Sequence, residues 1–300
     1  MLAIVGGLGA AICWAASSMA SARAARVIGS WATLGWVMLI GTAIAIPATL
    51  LTGGGVAIGP DQLVLLVASG LSNVVGLLLA YTAFQRGKVA VVASILATEG
   101  ATAAVISILF GEQVAVGAAV VLAVIAGGVV LASSSGEGET AAEPGGLAPA
   151  APTATAAGHT RSTGPILPIA LSAVACFGIS LYVTGRIGQT MPVVWSILPA
   201  RLLGTVAVAL PLLATGRLRL VRSAIPLVVI VAVAEVAGLA VFALGSRDGI
   251  AVASVTSSQF GAIAAIVSVL AFGERLRRSQ AVGIVLIAVG VATLAAIRTG

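Results

Sequence analysis

An apolar stretch of this chain is written twice. Residues from about Leu63 to Val130 recur without gaps 162 positions later, from about Ile225 to Ala292. At that offset Leu65 pairs with Leu227, Gly76 with Gly238, Gly87 with Gly249 and Gly128 with Gly290. Phe110-Gly111-Glu112 likewise pairs with Phe272-Gly273-Glu274. Each copy belongs to a half with five apolar spans, and five is odd. The second half is therefore expected to cross a bilayer in the opposite sense to the first, as inverted repeats do.

Hydropathy places the spans near 2–22, 31–51, 62–85, 89–110 and 113–133 in the first half. In the second half they fall near 166–185, 192–215, 223–246, 250–272 and 279–297. Each is close to the roughly 20 residues that carry a helix across about 30 Å of hydrocarbon. In lipid a run of that length satisfies its own backbone as a helix. Only 8% of residues are charged and 60% are hydrophobic, too few charges to cover a soluble domain, for which about 25% is usual. The expected fold is an all-α integral membrane protein of ten transmembrane helices, arranged as two inverted five-helix repeats. The repeats occupy 1–132 and 165–300, joined by a Gly-, Ala-, Pro- and Thr-rich linker over 133–164 that carries Glu137, Glu139 and Glu143 and has no apolar periodicity.

The net charge of +6 does not mark a nucleic-acid partner. Arg217, Arg219, Arg222, Arg275, Arg277 and Arg278 sit in short connections between spans, where they face lipid headgroups. Counting positive residues end by end favours outside termini. Cys13 and Cys176 lie in the first span of each half as packing residues. The only histidine, His159, is in the linker, so no metal site is expected. Met1–Ala22 lacks a basic leader and is read as a retained span. The glycines within spans follow no strand and therefore form no nucleotide fingerprint. They suit close helix approach instead.

Three ionisable residues fall inside spans: Glu99, Arg201 and Glu235. A charge at mid-membrane costs at least about 2.5–3.5 kcal/mol, so such residues face cavities or partners. They are the leading candidates for substrate binding or proton coupling, with Arg201 suited to an anionic group. The same residues also suit a structural ion pair between Arg201 and one of the two glutamates, and sequence does not say which. Further hydrogen-bonding candidates in apolar spans are Asn73, at the repeat position of Glu235, and Tyr81, Thr98, Ser257, Ser258 and Gln259. Trp14 lies well inside its span as a pathway candidate. Trp31 and Trp195 lie near span ends, where aromatic rings anchor at the interface, and Trp36 lies a little deeper. Glu112 and Glu274 are read as membrane-edge turn residues.

The order of these features resembles the drug/metabolite transporter superfamily, specifically its ten-span members with two EamA domains. Similar positions are Ala11-Ile12-Cys13-Trp14 and Val174-Ala175-Cys176-Phe177-Gly178 in the first spans. Leu198-Pro199-Ala200-Arg201-Leu202 carries the second-span arginine, and Tyr81-Thr82-Ala83 the third-span ending. Gly111-Glu112 and Gly273-Glu274 close the fourth spans, and Gly283 and Gly290 space the last. The chain departs from the pattern at Met38-Leu39-Ile40, where the first half has no arginine, and in lacking a first-span glutamate.

The resemblance implies a secondary transporter of the cell membrane, moving a small metabolite such as an amino acid outward by alternating access. It also implies cytoplasmic termini, against the arginine count, and orientation stays open. The implied partners are the substrate, protons where they couple, and lipid, with a monomer or homodimer as the working unit. No cofactor is expected and no ATP-binding motif is present. An intramembrane enzyme lacks its parts, since no histidine lies in a span and Asp61 and Asp248 are at loop edges. The alternative is a non-transporting membrane scaffold or sensor. Few charges and few aromatics argue against bulky cationic substrates.

Overall fold

A computed structural model describes residues 1–54, 56, 58–87, 89–133, 166–263 and 278–299. Most of the expected linker, with His159 and its three glutamates, lies outside the described residues. So do Lys88, Phe272, Gly273, Glu274, Arg275 and Arg277. Among the described residues every regular element is a helix.

The first half runs through α1 (Leu2–Ile28), α2 (Ser30–Thr52), α3 (Pro60–Arg86), α4 (Val89–Leu96), α5 (Glu99–Leu109) and α6 (Val116–Ser133). After it come α7 (Ile166–Thr190), α8 (Leu198–Gly204) and α9 (Leu210–Ala214). The chain then continues through α10 (Ile225–Ser246), α11 (Ile250–Ser257) and α12 (Arg278–Thr299). Among the described residues six stretches are long and apolar enough to cross a membrane: α1, α2, α3, α7, Val193–Ala214 and Arg222–Ser246. The other expected spans are met by shorter apolar helices.

Local sequence explains where the helices turn and deform. Gly29, at φ 88°, lets α2 start one residue after α1 ends, a backbone conformation costly for a side-chain-bearing residue. Pro60 opens α3, where its missing N–H has no intrahelical partner to lose. In the seventh span the helix widens to a π turn over Thr205–Ala209 just before Pro211. Proline offers no N–H to the carbonyl four residues back and its ring crowds that turn.

Two expected spans are not continuous. The fourth breaks at Ala97-Thr98, between α4 and α5. The ninth breaks at Ser258-Gln259, after which helix resumes at 260–263. The two breaks fall within one residue of each other under the 162-residue offset. Both sit among hydroxyls turned back on their own helix. Thr98 Oγ1 donates to the Ile95 carbonyl at 2.7 Å, Ser257 to Ser254 at 2.9 Å and Ser258 to Val255 at 2.9 Å. Side chains that bond preceding carbonyls compete with the helix ladder.

Helix α1 packs along α10, α3 along α7 and α6 along α12. These are contacts between halves. A methyl group on Gly6 would come 2.5 Å from the Gly245 Cα, so α1 and α10 touch backbone to backbone. Other cross-half contacts come in exchanged pairs. A methyl on Gly76 would meet the Phe177 ring at 2.9 Å, and one on Gly238 would meet Trp14 Nε1 at 2.5 Å. Gly41 makes room for Arg201 and Gly204 for Met38. Gly290 seats Ile125 while Gly128 seats Ile287. Thr42 and Thr205, 163 residues apart, share a hydrogen bond of 2.8 Å. In each exchange both partners shift by 162 or 163 positions. The outer surface carries exposed apolar side chains such as Leu50, Leu51, Val64, Val105 and Leu109, as a lipid-facing surface requires.

Candidate functional site

Four helices turn a stripe toward one central cavity. From α1 come Trp14, Ser17, Ser18 and Ser21, spaced i, i+3, i+4 and i+7 along one face. From α3 come Asn73, Leu77, Ala80, Tyr81 and Phe84, and from α7 Phe177, Ser180 and Leu181. Helix α10 contributes Glu235 and Leu239. The fourth-span break adds Leu96 and Glu99, and the ninth adds Phe260. Many of these positions are repeat equivalents: Trp14 with Phe177, Ser17 with Ser180, Ser18 with Leu181, Asn73 with Glu235 and Leu77 with Leu239. The cavity measures about 50 Å³, room for about three or four waters and less than a metabolite needs.

Among the described residues the only buried charged side chains are Glu99, Arg201 and Glu235, at 6%, 0% and 6% exposure. Arg201 lies behind the cavity wall and reaches Glu235, with Nη2 to Oε2 at 3.7 Å. That separation makes a loose ion pair rather than a bidentate fork. Arg201 Nη1 lies 3.7 Å from Met38 Sδ, a weak acceptor. Its Nε and Nη2 have no hydrogen-bond acceptor. The other oxygen of Glu235 accepts from Ser17 Oγ at 2.7 Å. The pairing left open by sequence is thus Arg201 with Glu235, not Glu99.

Glu99 opens α5, one residue past the break, and lines the cavity without a hydrogen-bond or ion-pair partner among the described residues. Asn73 Oδ1 and Tyr81 Oη, also on the wall, are buried and unpartnered. Gln259 is buried at the other break, its Nε2 likewise without a partner, but it does not line the cavity. Of the softer candidates, Thr98, Ser257 and Ser258 bond their own helices. Trp14 stacks obliquely on Phe242, with ring centroids 5.9 Å apart. Trp36 and Trp195 donate to the loop carbonyls of Arg219 and Gly53, which holds the loops to the bundle.

Sequence reasoning missed Ser17, Ser180 and Phe177 as cavity residues. The signal was present: Ser17 and Ser180 are 163 residues apart, as are Trp14 and Phe177. Glu112 follows the turn that ends α5, but does more than turn the chain. Both its carboxylate oxygens accept from Ala251 N–H, at 3.2 and 3.0 Å, and Ser107 donates to it. A residue of the first half therefore caps α11 of the second. Among the described residues no three His, Cys, Asp or Glu side chains converge as a metal-ligating group.

Comparison with known proteins agrees with this architecture. A solved crystal structure of a protein is similar over 99% of this chain and 98% of its own, at a TM-score of 0.70 and 18% identity. At that identity the likeness speaks for the fold alone. No curated protein matches the chain. Residues 1–134 match the EamA-like transporter family. The match ends where the described first half ends. Over those residues, a little under half of its length, the chain is similar to the EamA-like transporter family, and several of its helices are long and apolar enough to cross a membrane.

Proposed function

We propose that this protein is a secondary transporter that exports a small metabolite by alternating access, and that its two halves are inverted repeats around a shared site. The observation that carries the reading is the composition of the central cavity. Its wall is built from equivalent positions of the two halves, Trp14 with Phe177, Ser17 with Ser180 and Asn73 with Glu235. A site between repeats is where inverted-repeat transporters bind, and alternating access rocks one repeat against the other. The exchanged contacts at Gly76 and Gly238, and at Gly41 and Gly204, support a two-fold relation between the halves.

Discontinuous helices at the site further support it. Breaks at Ala97-Thr98 and Ser258-Gln259 bring backbone ends to the middle of the bundle, a recurring device for holding substrates or ions. A cavity of about 50 Å³ does not admit a metabolite, so the transport cycle must widen it. Small residues at the α1–α10 contact let that happen by sliding helices rather than by breaking packed side chains.

The test is flux. Purified protein in liposomes is offered a metabolite panel with and without a pH gradient, beside Glu99→Gln and Glu235→Gln. Saturable flux driven by the gradient establishes transport, and its loss in one variant that is shown to be folded names the coupling carboxylate. No flux of any solute from protein shown to be folded leaves the scaffold or sensor reading.

A further inference from the structure

Among the described residues the central site has one carboxylate with no cation. Glu235 is matched by Arg201 at 3.7 Å and by Ser17. Glu99 is 6% exposed, faces the cavity, and meets no basic side chain or hydrogen-bond donor among the described residues. A carboxylate in the bilayer interior calls for a cationic partner. Two more unsatisfied oxygens sit on the same wall. Asn73 Oδ1 and Tyr81 Oη are buried without partners, their residues 4% and 2% exposed. An amide oxygen accepts only, and a phenol oxygen can accept, so both suit an N–H-bearing guest.

The rest of the lining is aromatic. Five of the chain's twelve aromatic residues, Trp14, Tyr81, Phe84, Phe177 and Phe260, surround this cavity. Ring faces attract an organic cation, and most strongly where water is excluded. The scarcity of aromatics in the composition argued against cationic substrates, but the fold concentrates the few there are around the unpaired carboxylate. A substrate carboxylate finds no counterpart here. Among the described residues the one buried arginine, Arg201, lies behind the wall and already faces Glu235.

We infer that the transported substrate is a monocationic amine on an aromatic or otherwise apolar body. Once the cavity has widened to admit it, its ammonium seats between Glu99 and Asn73 Oδ1, and its body lies against Trp14, Phe177 and Phe260. This rests on the transporter reading for its physiological meaning, but its test is binding and needs no flux.

The full chain in lipid nanodiscs is titrated calorimetrically with phenethylamine, 2-phenylethanol and phenylalanine. The three share a ring and differ in charge: cation, neutral and zwitterion. Phenethylamine is expected to bind saturably, with the other two weaker by roughly tenfold or more, the scale of one hydrogen-bonded charge. Glu99→Gln should weaken the amine by a similar factor, and Glu99→Asp should retain most of the binding. Equal binding of amine and alcohol overturns the inference, as does tighter binding of phenylalanine or an amine affinity unchanged in Glu99→Gln. The comparison of ligands on the unmodified chain holds even if a variant fails to fold. Amine binding without flux of any solute sinks the transporter reading and leaves the site. Flux of other solutes without amine binding sinks the site and leaves the transporter.

Discussion

Replacing Arg201 by methionine should strand Glu235. Methionine keeps an unbranched stem in the notch that Gly41 provides, so the change removes charge more than volume. Arg201 is fully buried and Glu235 nearly so, at 0% and 6% exposure. At their 3.7 Å separation the attraction is about 4 kcal/mol for an effective dielectric near 20. Removing one partner of a buried pair leaves the other uncompensated and costs about 3–5 kcal/mol. Ser17 still donates to Glu235, which places the expected loss near the lower end, about 3 kcal/mol. Glu235→Gln should cost a comparable amount, because Arg201 then keeps only Met38 Sδ as a weak acceptor. The double variant has neither stranded charge and should be destabilised by less than the two single changes added together. A coupling energy of at least about 2 kcal/mol is expected, within the range for residues in one ion-pair network. Denaturant unfolding in mixed micelles for all four proteins measures it. A single Arg201→Met variant within about 1 kcal/mol of the parent, the range of exposed pairs, would falsify the reasoning.

Two further outcomes follow from packing and capping. A methyl on Gly100 would overlap the Ser254 carbonyl, backbone that cannot swing aside, whereas Gly117 faces open space. Gly100→Ala should therefore destabilise by at least about 1–3 kcal/mol, while Gly117→Ala should be neutral or add about 0.5–1 kcal/mol. The same unfolding assay decides, and equal effects would refute the α5–α11 contact. Glu112→Ala removes the acceptor for Ala251 N–H and should cost about 1 kcal/mol, as lost helix caps do. Hydrogen exchange of the first-turn amides of α11 should quicken in that variant, and unchanged exchange at Ala251 would show that the cap is not formed.

Much of the fold was legible because each of its signals is one-dimensional. Span positions follow from runs of apolar residues, and the duplication follows from a fixed offset. The three intramembrane charges stood out because a charge in hydrocarbon is costly. The helix breaks were less visible. Ala97-Thr98 and Ser258-Gln259 interrupt no apolar run, and serine and threonine are common in continuous membrane helices. At each break a hydroxyl bonds the carbonyl three residues back, Thr98 to Ile95 and Ser258 to Val255, a feature that hydropathy does not register.

The site was legible only as a set of candidates. Glu99, Glu235, Asn73, Trp14 and Tyr81 do meet at one cavity, but Gln259 stays off its wall and Arg201 stands behind it. Ser17 and Phe177 were passed over because serine and phenylalanine are ordinary in a span. In a helix that is apolar all round, periodicity does not mark which face turns inward.

By itself the sequence determined that this chain enters a membrane as helices, that it is duplicated, and that three charges sit within its spans. These depend on the cost of placing backbone and charge in hydrocarbon, which each segment meets on its own. Tertiary structure alone decided that Arg201 pairs with Glu235, that Glu99 meets no cation among the described residues, and that five scattered aromatics share one cavity. Those facts belong to residues as far apart in the chain as Trp14 and Phe260. They arise from the rotation and depth at which whole helices pack, and small residues permit many such packings.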